Sequence, residues 1–306
     1  MELRHLRYFI VIAETGSLSG AAENLHIAQP ALTQNIKSLE AELNTTLFER
    51  SRKGMTLTDT GVQFLTQAQN ILRQVSNAKQ SILEAEDDPV GSVSIVAPAS
   101  VSHILTVPLF QSLQKKYPRI ELIIREGLTG DLERRFALEL DDIFIDFDTE
   151  ESAEHVVESM LREELFFIEQ YQPGLPDTIP FIELAEYPLF LPRQKTDAMS
   201  KTIDRYAQIE NVELPTVQGA SSMHSMLRLV QAGLGHSILP WSAIFDLVGK
   251  TVHARKIIAP ELFRKVCVVT KVSGAKGPAT IKVLETIRES VRELHQQGQW
   301  KGELLL

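Results

Sequence analysis

A shortage of cysteine and of long apolar runs narrows the class of protein before any motif is considered. The single cysteine, Cys267, cannot form a disulfide within the chain, and its apolar neighbours predict a buried, unreactive thiol. No apolar run approaches the ~18 residues that cross a bilayer, and residues 1–9 mix acids with bases where a secretion signal has an apolar core. We therefore expect a soluble, cytoplasmic protein without a membrane partner.

An excess of positive charge is also missing. The chain has 31 Lys and Arg against 40 Asp and Glu, which argues against a generally basic nucleic-acid coat. DNA binding depends on which face carries the cations, so this balance does not exclude it. The eight histidines lack metal-site spacing such as H-E-x-x-H, and no G-x-S-x-G elbow is present. The sequence predicts no catalytic residue, no metal site and no cofactor.

Residues 17–43 are typical of two helices joined by a tight turn. Ser17 is a favourable N-cap, and the apolar positions that follow it repeat at helical spacing. Pro30 stands in the first turn of the second helix, where its missing N–H costs nothing. That helix has apolar residues at 32, 36, 39 and 43 along one face. A helix-turn-helix is predicted at about residues 18–37.

The opposite face of the second helix carries no acid between residues 28 and 38, so it can approach a polyanion and hydrogen-bond base edges. An ordinary helical hairpin is the alternative. A predicted β-hairpin at 47–58, with Gly54 at its turn, adds cations beside this face and favours DNA. The acids Glu40, Glu42 and Glu49 are expected to point away from the groove. The residues predicted to contact DNA are Ser19, Gln29, Pro30, Ala31, Thr33, Gln34, Lys37, Arg50, Arg52 and Lys53.

The motifs of residues 21–61 closely resemble the amino-terminal domain of LysR-type transcriptional regulators. They read A-A-x-x-L, Q-P-A-L-T, I-x-x-L-E-x-x-L, L-F-x-R and L-T-x-x-G, in the order and at the spacing of that family. Asn44 stands where the family usually has glycine, and asparagine tolerates the left-handed backbone expected there. The resemblance implies a winged helix-turn-helix domain at residues 1–58. The recognition domain is also similar to that of LysR-type regulators of nitrogen assimilation.

A long helix, capped by Thr58, is predicted at residues 59–88. Its apolar positions 65, 68, 72, 75 and 82 follow a seven-residue repeat that suits a seam between two helices. A solitary helix lying across its own domain is the alternative. The resemblance implies that this helix pairs two subunits into a homodimer, which pairs again into a homotetramer. Two reading helices would then face a dyad-symmetric operator in double-stranded DNA.

Beyond the helix-breaking residues 87–91, strands alternate with helices, which predicts α/β lobes with a mostly parallel sheet. The predicted elements include a helix at 129–140 and a strand at 212–217. The resemblance implies a two-lobed effector-binding domain at 91–306 with the type II periplasmic-binding-protein-like fold. It places lobe I at about 91–163 and 268–306, and lobe II at about 164–267.

Open α/β lobes bind ligands at the carboxyl ends of their strands, where helix N-termini offer free N–H groups. Hydroxyl side chains at such points favour a carboxylate, although each is also an ordinary candidate for a helix cap. Asp146 near the same cleft favours an amine, so an amino acid would satisfy both, and Arg193 could pair with either. The residues predicted to bind the effector are Ser100, Ser102, Thr129, Asp146, Arg193, Ser221 and Ser222.

We therefore predict a sequence-specific transcriptional regulator controlled by a small-molecule effector, which contacts RNA polymerase if it activates. A redox-responsive or ligand-independent member of the same family is one alternative, but a single cysteine cannot form an internal disulfide switch. A solute-binding protein is another. It would need export, and it would have no use for the first 90 residues.

Overall fold

The computed structural model describes residues 1–51, 54–83, 89–127, 136, 141–192, 198–217, 222–272 and 277–306. The chain divides into two units, Met1–Glu84 and Ala85–Leu306, and the division falls beside the predicted break at 87–91. In its described part the first unit has four helices and a two-stranded wing. These elements are α1 (Leu3–Thr15), α2 (Leu18–Asn24), α3 (Gln29–Leu43), β1 (Phe48–Ser51), β2 (Gly54–Leu57) and α4 (Asp59–Leu83).

Local signals at the helix ends of the first unit behave as predicted. Ser17 Oγ accepts a hydrogen bond from the Gly20 N–H at 3.4 Å, and Thr58 Oγ1 accepts one from the Gly61 N–H at 2.9 Å. Both contacts satisfy N–H groups that the first helical turn leaves without partners. Asn44 ends α3 in the left-handed conformation, with φ of 50°. Its substitution for the family's glycine is therefore compatible with the same backbone.

The core of the first unit joins all four helices to the wing. Leu32, Ile36 and Leu39 of α3 are buried, as the predicted stripe requires. The ring of Phe9 in α1 lies 5.0 Å from that of Phe48 in the wing and 5.0 Å from that of Phe64 in α4. This aromatic group fixes the wing against the helices. The buried apolar side chains are Leu6, Phe9, Ile12, Ala21, Ala22, Leu32, Ile36, Leu39, Leu47, Phe48, Met55 and Ala68.

Two close backbone approaches explain why glycine is required in the wing and at the start of α4. Gly54 has φ of +126°, and a Cβ there would lie 2.4 Å from the carbonyl oxygen of Gly16. A Cβ on Gly61, the glycine of the L-T-x-x-G motif, would lie 2.1 Å from the carbonyl oxygen of Leu47. No side chain fits at either distance without moving backbone.

The seven-residue stripe of α4 contributes partly to the core of its own unit. Ala68 is buried there, and Leu65 and Leu72 pack against the same core while remaining half-buried. Val75 is half-buried outside this cluster, and the side chain of Ile82 is outside the described residues. The first half of the stripe thus serves the domain itself, as the solitary-helix alternative requires, and leaves only part of its surface for a partner.

The second unit contains two α/β lobes, and its helices and strands follow the predicted alternation. Its helices are α5 (Ala99–Lys116), α6 (Ala198–Ile209), α7 (Met223–Gln231) and α8 (Pro278–Gln296). Its strands are β3 (Gly91–Pro98), β4 (Ile120–Gly127), β5 (Ile143–Phe147), β6 (His155–Gln170), β7 (Thr178–Pro180), β8 (Leu189–Phe190), β9 (His236–Pro240), β10 (Val252–Ile258), β11 (Phe263–Lys271) and β12 (Gly302–Leu304).

The sheet is less parallel than predicted. Strands β4, β3 and β5 are parallel in lobe I, but β5 pairs antiparallel with β11, and β11 pairs antiparallel with β6. In lobe II, β9 and β10 pair antiparallel with β6, while β8 pairs with β9, and β7 with β10, in parallel. The antiparallel pairs arise because the chain passes between the lobes on neighbouring strands that run in opposite directions.

Strand β6 runs through both lobes and joins their cores. Leu161 packs in the core of lobe I and Leu165 in that of lobe II. On the return strand, Val266 already packs in the core of lobe I, two residues before the predicted start at 268. The lobes therefore meet along β6 and β11 rather than at a flexible connection.

One predicted strand does not form, and one predicted helix lies almost entirely outside the described residues. Residues 212–217 form an isolated bridge between Leu189 and Thr216 instead of a strand. The predicted helix at 129–140 lies outside the described residues except for Phe136, which is helical and buried. In helix α8, Val283 is buried whereas Ile281 is 42% exposed, so the helix packs through the face that carries Val283.

Candidate DNA-binding surface and effector cavity

The exposed face of α3 presents the residues predicted to read DNA. Gln29, Pro30, Ala31, Gln34 and Lys37 are exposed, because the apolar stripe of α3 turns the opposite side into the core. Thr33 is half-buried, and its hydroxyl donates to the carbonyl oxygen of Gln29 at 2.9 Å. The hydroxyl oxygen can still accept a hydrogen bond. This face is acid-free, polar and accessible, as a groove-reading helix requires.

The acids near α3 are partly bound by the domain itself. Glu40 Oε1 accepts hydrogen bonds from the backbone N–H groups of Leu47 at 2.8 Å and Phe48 at 3.2 Å, which ties the end of α3 to the wing. Glu42 pairs with the amino group of Met1. Glu40 lies ~16 Å along the helix from Gln29. These carboxylates are therefore held away from the first turns of α3.

The remaining predicted DNA contacts belong to α2 and the wing. Ser19 is exposed in the first turn of α2, and its hydroxyl lies 2.9 Å from that of Ser17. Arg50 stands opposite Met55 in the wing, but its side chain is outside the described residues. Arg52 and Lys53 also lie outside them. The prediction about these three cations is therefore not tested by the structure.

One polar residue on α3 that the sequence did not single out is Asn35. Its side-chain amide donates to the carbonyl oxygen of Ala31 at 2.8 Å, and it is half-buried. This bond fixes the side chain along the helix. We therefore infer that Asn35 stabilises helix α3 and does not contact bases.

The second unit contains a cavity of about 280 Å³ between its lobes. Most of its described wall is apolar. Lobe I contributes Pro98, Ala99, Ser100, Glu126, Gly127 and Phe147. Lobe II contributes Met199, Ser222, Met223, Met226, Leu239 and Pro240.

The floor of the cavity is an ion pair at the passage between the lobes. Arg264 of β11 lines the cavity and stands directly opposite Glu163 of β6. The guanidinium donates from Nε to Glu163 Oε2 at 2.8 Å, and its Nη2 lies 2.7 Å from the same oxygen. Glu163 is 0% exposed and Arg264 is 4% exposed, so both charges are removed from water.

Several other groups complete the coordination of this ion pair. Arg264 Nη2 donates to the hydroxyl of Ser100 in lobe I at 2.8 Å and lies 3.4 Å from that of Ser242 in lobe II. Glu163 Oε1 accepts from the indole N–H of Trp300 at 2.9 Å and from the backbone N–H of Ser242 at 2.8 Å. The guanidinium carbon also lies 3.7 Å from the ring centroid of Phe147. A buried pair of this kind is stable only when its hydrogen bonds are satisfied in this way.

The predicted effector residues are only partly brought together. Ser100 and Ser222 line the cavity, and Ser222 also caps α7 by accepting from the Ser225 N–H at 3.2 Å. Ser102 is buried without a partner for its hydroxyl and does not line the cavity. Thr129, Arg193 and Ser221 lie outside the described residues.

Asp146 also does not line the cavity, although its neighbour Phe147 does. Successive side chains of a strand point to opposite faces, so the face of β5 that meets the cavity is that of Phe147. Asp146 stands opposite Cys267 on β11, and its Oδ2 accepts from the hydroxyl of Thr149 at 2.6 Å. Burial raises the pKa of Asp146.

Cys267 is buried, in line with the prediction of an unreactive thiol. Burial raises the pKa of its thiol, which disfavours the reactive thiolate. Its sulfur lies 3.8 Å from the carbonyl oxygen of Lys265 and 3.9 Å from the hydroxyl of Ser159.

Arg264, Glu163 and the three methionines of the cavity were missed by the sequence analysis. A charged residue in a strand pattern usually marks a solvated face, and methionine in a helix usually marks a core. Nothing local distinguishes these residues from such positions. Arg264 and Glu163 are 101 residues apart in the chain, so only the folded structure shows that they are paired at the cavity.

A winged helix-turn-helix in the same chain as a two-lobed α/β unit with an interlobe cavity is the architecture of a ligand-responsive DNA-binding regulator. Comparison with known families agrees. Residues 3–62 match the model "Bacterial regulatory helix-turn-helix protein, lysR family", and residues 86–292 match the "LysR substrate binding domain". The chain belongs to the LysR family of DNA-binding transcriptional regulators.

Two curated relatives cover most of the chain. The nitrogen assimilation regulatory protein nac of Escherichia coli (strain K12) is 32% identical over 251 residues, 81% of each chain. The HTH-type transcriptional regulator SoxR of Arthrobacter sp. (strain TE1826) is 31% identical over 302 residues, 96% of this chain and all of the relative. Both relatives are regulators, in agreement with the family assignment.

Solved structures show the same fold over the full length. A full-length OxyR variant from Pseudomonas aeruginosa, with a single cysteine replaced by aspartate, matches with a TM-score of 0.67 and 25% identity, over 95% of this chain and 98% of that one. Full-length CbnR in complex with its target DNA matches with a TM-score of 0.73 and 19% identity, over 95% and 100%. No helix in the described ranges is long and apolar enough to cross a membrane.

Proposed function

We propose that the chain reads its operator with the exposed face of α3 and adjusts this activity through a ligand in the interlobe cavity. The single observation that supports DNA reading best is the acid-free surface formed by Gln29, Gln34 and Lys37 at the start of α3. Glutamine can bond adenine edges in the major groove, and lysine can bond guanine or phosphate. The predicted wing cations Arg50, Arg52 and Lys53 would add phosphate contacts.

The experiment that tests this role is a binding assay with sequences selected from a random DNA pool by the unaltered protein. Gln29→Ala should weaken binding to selected DNA by about 1–3 kcal/mol while leaving random DNA unchanged. Lys37→Ala should weaken both if it contacts phosphate, and reduce the salt dependence. Gln74→Ala, at an exposed glutamine of α4, is the matched control and should change neither. Equal losses for Gln29→Ala and Gln74→Ala would contradict a reading role.

We also propose that α4 pairs two subunits, so that two α3 helices face the halves of a dyad-symmetric operator. The half-buried positions Leu65, Leu72 and Val75 support this by leaving apolar surface on one side of the helix. Pairing of dimers into a tetramer, and contact with RNA polymerase if the protein activates, complete the proposal. Light scattering on the full chain would contradict it by finding a monomer at the concentration that protects DNA.

Control by ligand follows from the position of the cavity. A molecule there touches both lobes, and it can shift their relative arrangement only if it binds one arrangement more tightly than another. The sequence pattern by itself, with hydroxyls and helix N-termini around Ser100 and Ser222, favours a carboxylate or an amino acid as this ligand. A solution assay would contradict ligand control if no cavity-bound molecule changed operator affinity.

A further inference from the structure

We infer that the interlobe cavity takes a compact, largely apolar molecule through one uncharged oxygen acceptor, which is bound by Arg264 Nη1 and the hydroxyl of Ser100. This inference rests on the proposed function, because it names the effector class of that cavity. It replaces the anion favoured by the sequence with an uncharged ligand.

The apolar part of the ligand is indicated by the walls. Met199, Met223 and Met226 of lobe II face the cavity together with Leu239, and Phe147 faces it from lobe I. Methionine side chains are unbranched and polarizable, so they adapt to irregular apolar shapes. The volume of about 280 Å³ is just below the range of roughly 300–1,000 Å³ typical of sites for drug-sized ligands. A compact ligand therefore fits.

The polar end of the ligand is indicated by two hydrogen-bond donors on the floor. Nε and Nη2 of Arg264 are occupied by Glu163, Ser100 and Ser242, whereas Nη1 has no hydrogen-bond partner among the described residues. Nη1 is also not fully buried, so a ligand can reach it. The Ser100 oxygen accepts from Arg264, which leaves its proton for another acceptor. Both donors belong to residues that line the cavity and are bonded to each other, so the inference assigns them to one ligand oxygen.

The charges around the cavity favour a ligand with an uncharged oxygen over one with a carboxylate. The charge of Arg264 is already balanced by Glu163 at 2.7 Å, and Glu126 is the other charged side chain in the described lining. Among the described lining residues, a carboxylate would lose its hydration without gaining an unpaired cation. The first-turn N–H groups of α5 and α7 favour any acceptor oxygen, charged or not. A ketone, ester, amide or alcohol oxygen meets these conditions.

Methyl NMR of the full chain, labelled at its methionine methyl groups, tests the inference with three probes: acetophenone, benzoate and toluene. The chain has six methionines, of which Met199, Met223 and Met226 line the cavity, so the other three, Met1, Met55 and Met160, serve as internal references. Acetophenone should shift the three cavity signals and leave the references unchanged. Toluene, which lacks the acceptor, should bind about three- to tenfold more weakly.

Three results would overturn the inference. Benzoate binding more than about tenfold tighter than acetophenone would show that the site selects an anion. Toluene binding as tightly as acetophenone would show that the floor recognises no acceptor. A lack of shifts with all three probes, up to the solubility limit of each, would show that the cavity does not take this class.

Two serine variants test whether a hydroxyl binds the ligand or only supports Arg264. Ser100→Ala removes a donor that lines the cavity and should weaken acetophenone about three- to tenfold without affecting toluene. Ser242→Ala removes the other hydroxyl near the same guanidinium nitrogen, but it does not line the cavity and should change neither probe by more than about twofold. Equal effects of the two variants on acetophenone would contradict the role of Ser100.

The same samples distinguish this inference from the proposed function. Operator affinity is measured without a probe, and probe binding is measured without DNA. Probe binding without any DNA binding would contradict the proposed function alone. Operator binding with failed probe selectivity would contradict the inference alone.

Discussion

The proposed DNA-reading surface and the interlobe cavity are built in opposite ways. The residues of α3 that we predict to read DNA lie within nine consecutive positions, 29–37, on the outside of one helix. The cavity floor joins side chains up to 164 residues apart, held in a buried hydrogen-bond network. A change on the exposed face of α3 therefore removes the proposed contact with DNA and little else. A change on the cavity floor also leaves a buried polar group without its hydrogen-bond partner.

The residues that stabilise the fold and the residues proposed to bind a partner are different on α3 but the same on the cavity floor. On α3, the buried side of the helix is distinct from the side proposed to read DNA, so Gln29 can be changed while Leu32 and Ile36 hold the core. On the cavity floor, Arg264 serves both purposes, because its guanidinium binds Glu163 and faces the ligand site. Function in the second unit is therefore inseparable from its framework.

The largest expected effect is on the cavity floor. Arg264→Met should lower the free energy of unfolding of the second unit by about 3–5 kcal/mol, because Glu163 would remain buried as an unpaired charge. Urea unfolding measures this. Arg162→Met is the matched control: Arg162 is 47% exposed on its side chain, and its pair with Glu303 is a surface contact, so a loss of about 1 kcal/mol or less is expected.

The double change Arg264→Met with Glu163→Met sharpens the same point. Removing both charges should recover much of the loss, because an apolar pair of similar size leaves no charge uncompensated. A double variant as unstable as Arg264→Met alone would show that packing, not charge, dominates this site.

The next effect concerns the first unit. Gly61→Ala should destabilise it by about 1–3 kcal/mol, because the new Cβ would lie 2.1 Å from the backbone oxygen of Leu47. Gly20→Ala, in α2, is the matched control, since its Cβ would meet nothing closer than 3.8 Å. That change should be neutral or stabilise by up to about 1 kcal/mol. Thermal unfolding distinguishes the two, and equal effects would contradict a steric role for Gly61.

The smallest effect is a pH dependence at Asp146. Its folded pKa is raised above the ordinary value of 3.8, chiefly by burial, so the folded state holds its proton more tightly than the unfolded chain. Stability from this group is then fully present below pH 3.8 and decreases as the pH rises through the raised pKa. Asp146→Asn should therefore stabilise the protein at neutral pH but not at low pH.

Unfolding measured at several pH values tests this, with Asp204→Asn on the exposed face of α6 as the control. A gain from Asp146→Asn that stayed constant across the pH range would contradict titration as its cause. A gain of equal size from Asp204→Asn would show a general charge effect.

Much of the first unit could be predicted from the sequence because its determinants are local. The caps at Ser17 and Thr58, the left-handed Asn44 and the buried stripe of α3 each depend on residues a few positions apart. The use of α4 as a pairing helix stays a prediction, because it depends on what the apolar stripe faces. A seven-residue repeat does not distinguish its own core from that of a partner.

The second unit was harder because charge interrupts its central strand. Strand β6 begins at His155, and its first ten residues, which include Glu158, Glu163 and Glu164, lack the apolar pattern by which a strand is recognised. Each of these carboxylates is paired with a cation from a distant segment. The partners are Arg288 at 2.6 Å, Arg264 at 2.7 Å and Lys256 at 3.2 Å, respectively.

The effector residues show the same limit on a smaller scale. Ser100 and Ser222 were placed correctly at the cavity because each stands where a strand or loop enters a helix. Asp146 was expected there too, yet the pleat of β5 turns Phe147 to the cavity instead. Neighbouring residues of a strand point to opposite faces of the sheet, and the sequence does not show which of the two faces the cavity.

The continuity of β6 has a mechanical consequence. Its 16 residues hydrogen-bond to strands of both lobes, and alongside it β11 changes register between Val266 and Cys267. Because the two strands are hydrogen-bonded to each other along both lobes, any change in the angle between the lobes has to distort this ladder rather than a single loop. The break in register is the point where the ladder is least regular, so we expect a ligand-dependent change to slow or speed amide hydrogen exchange there first.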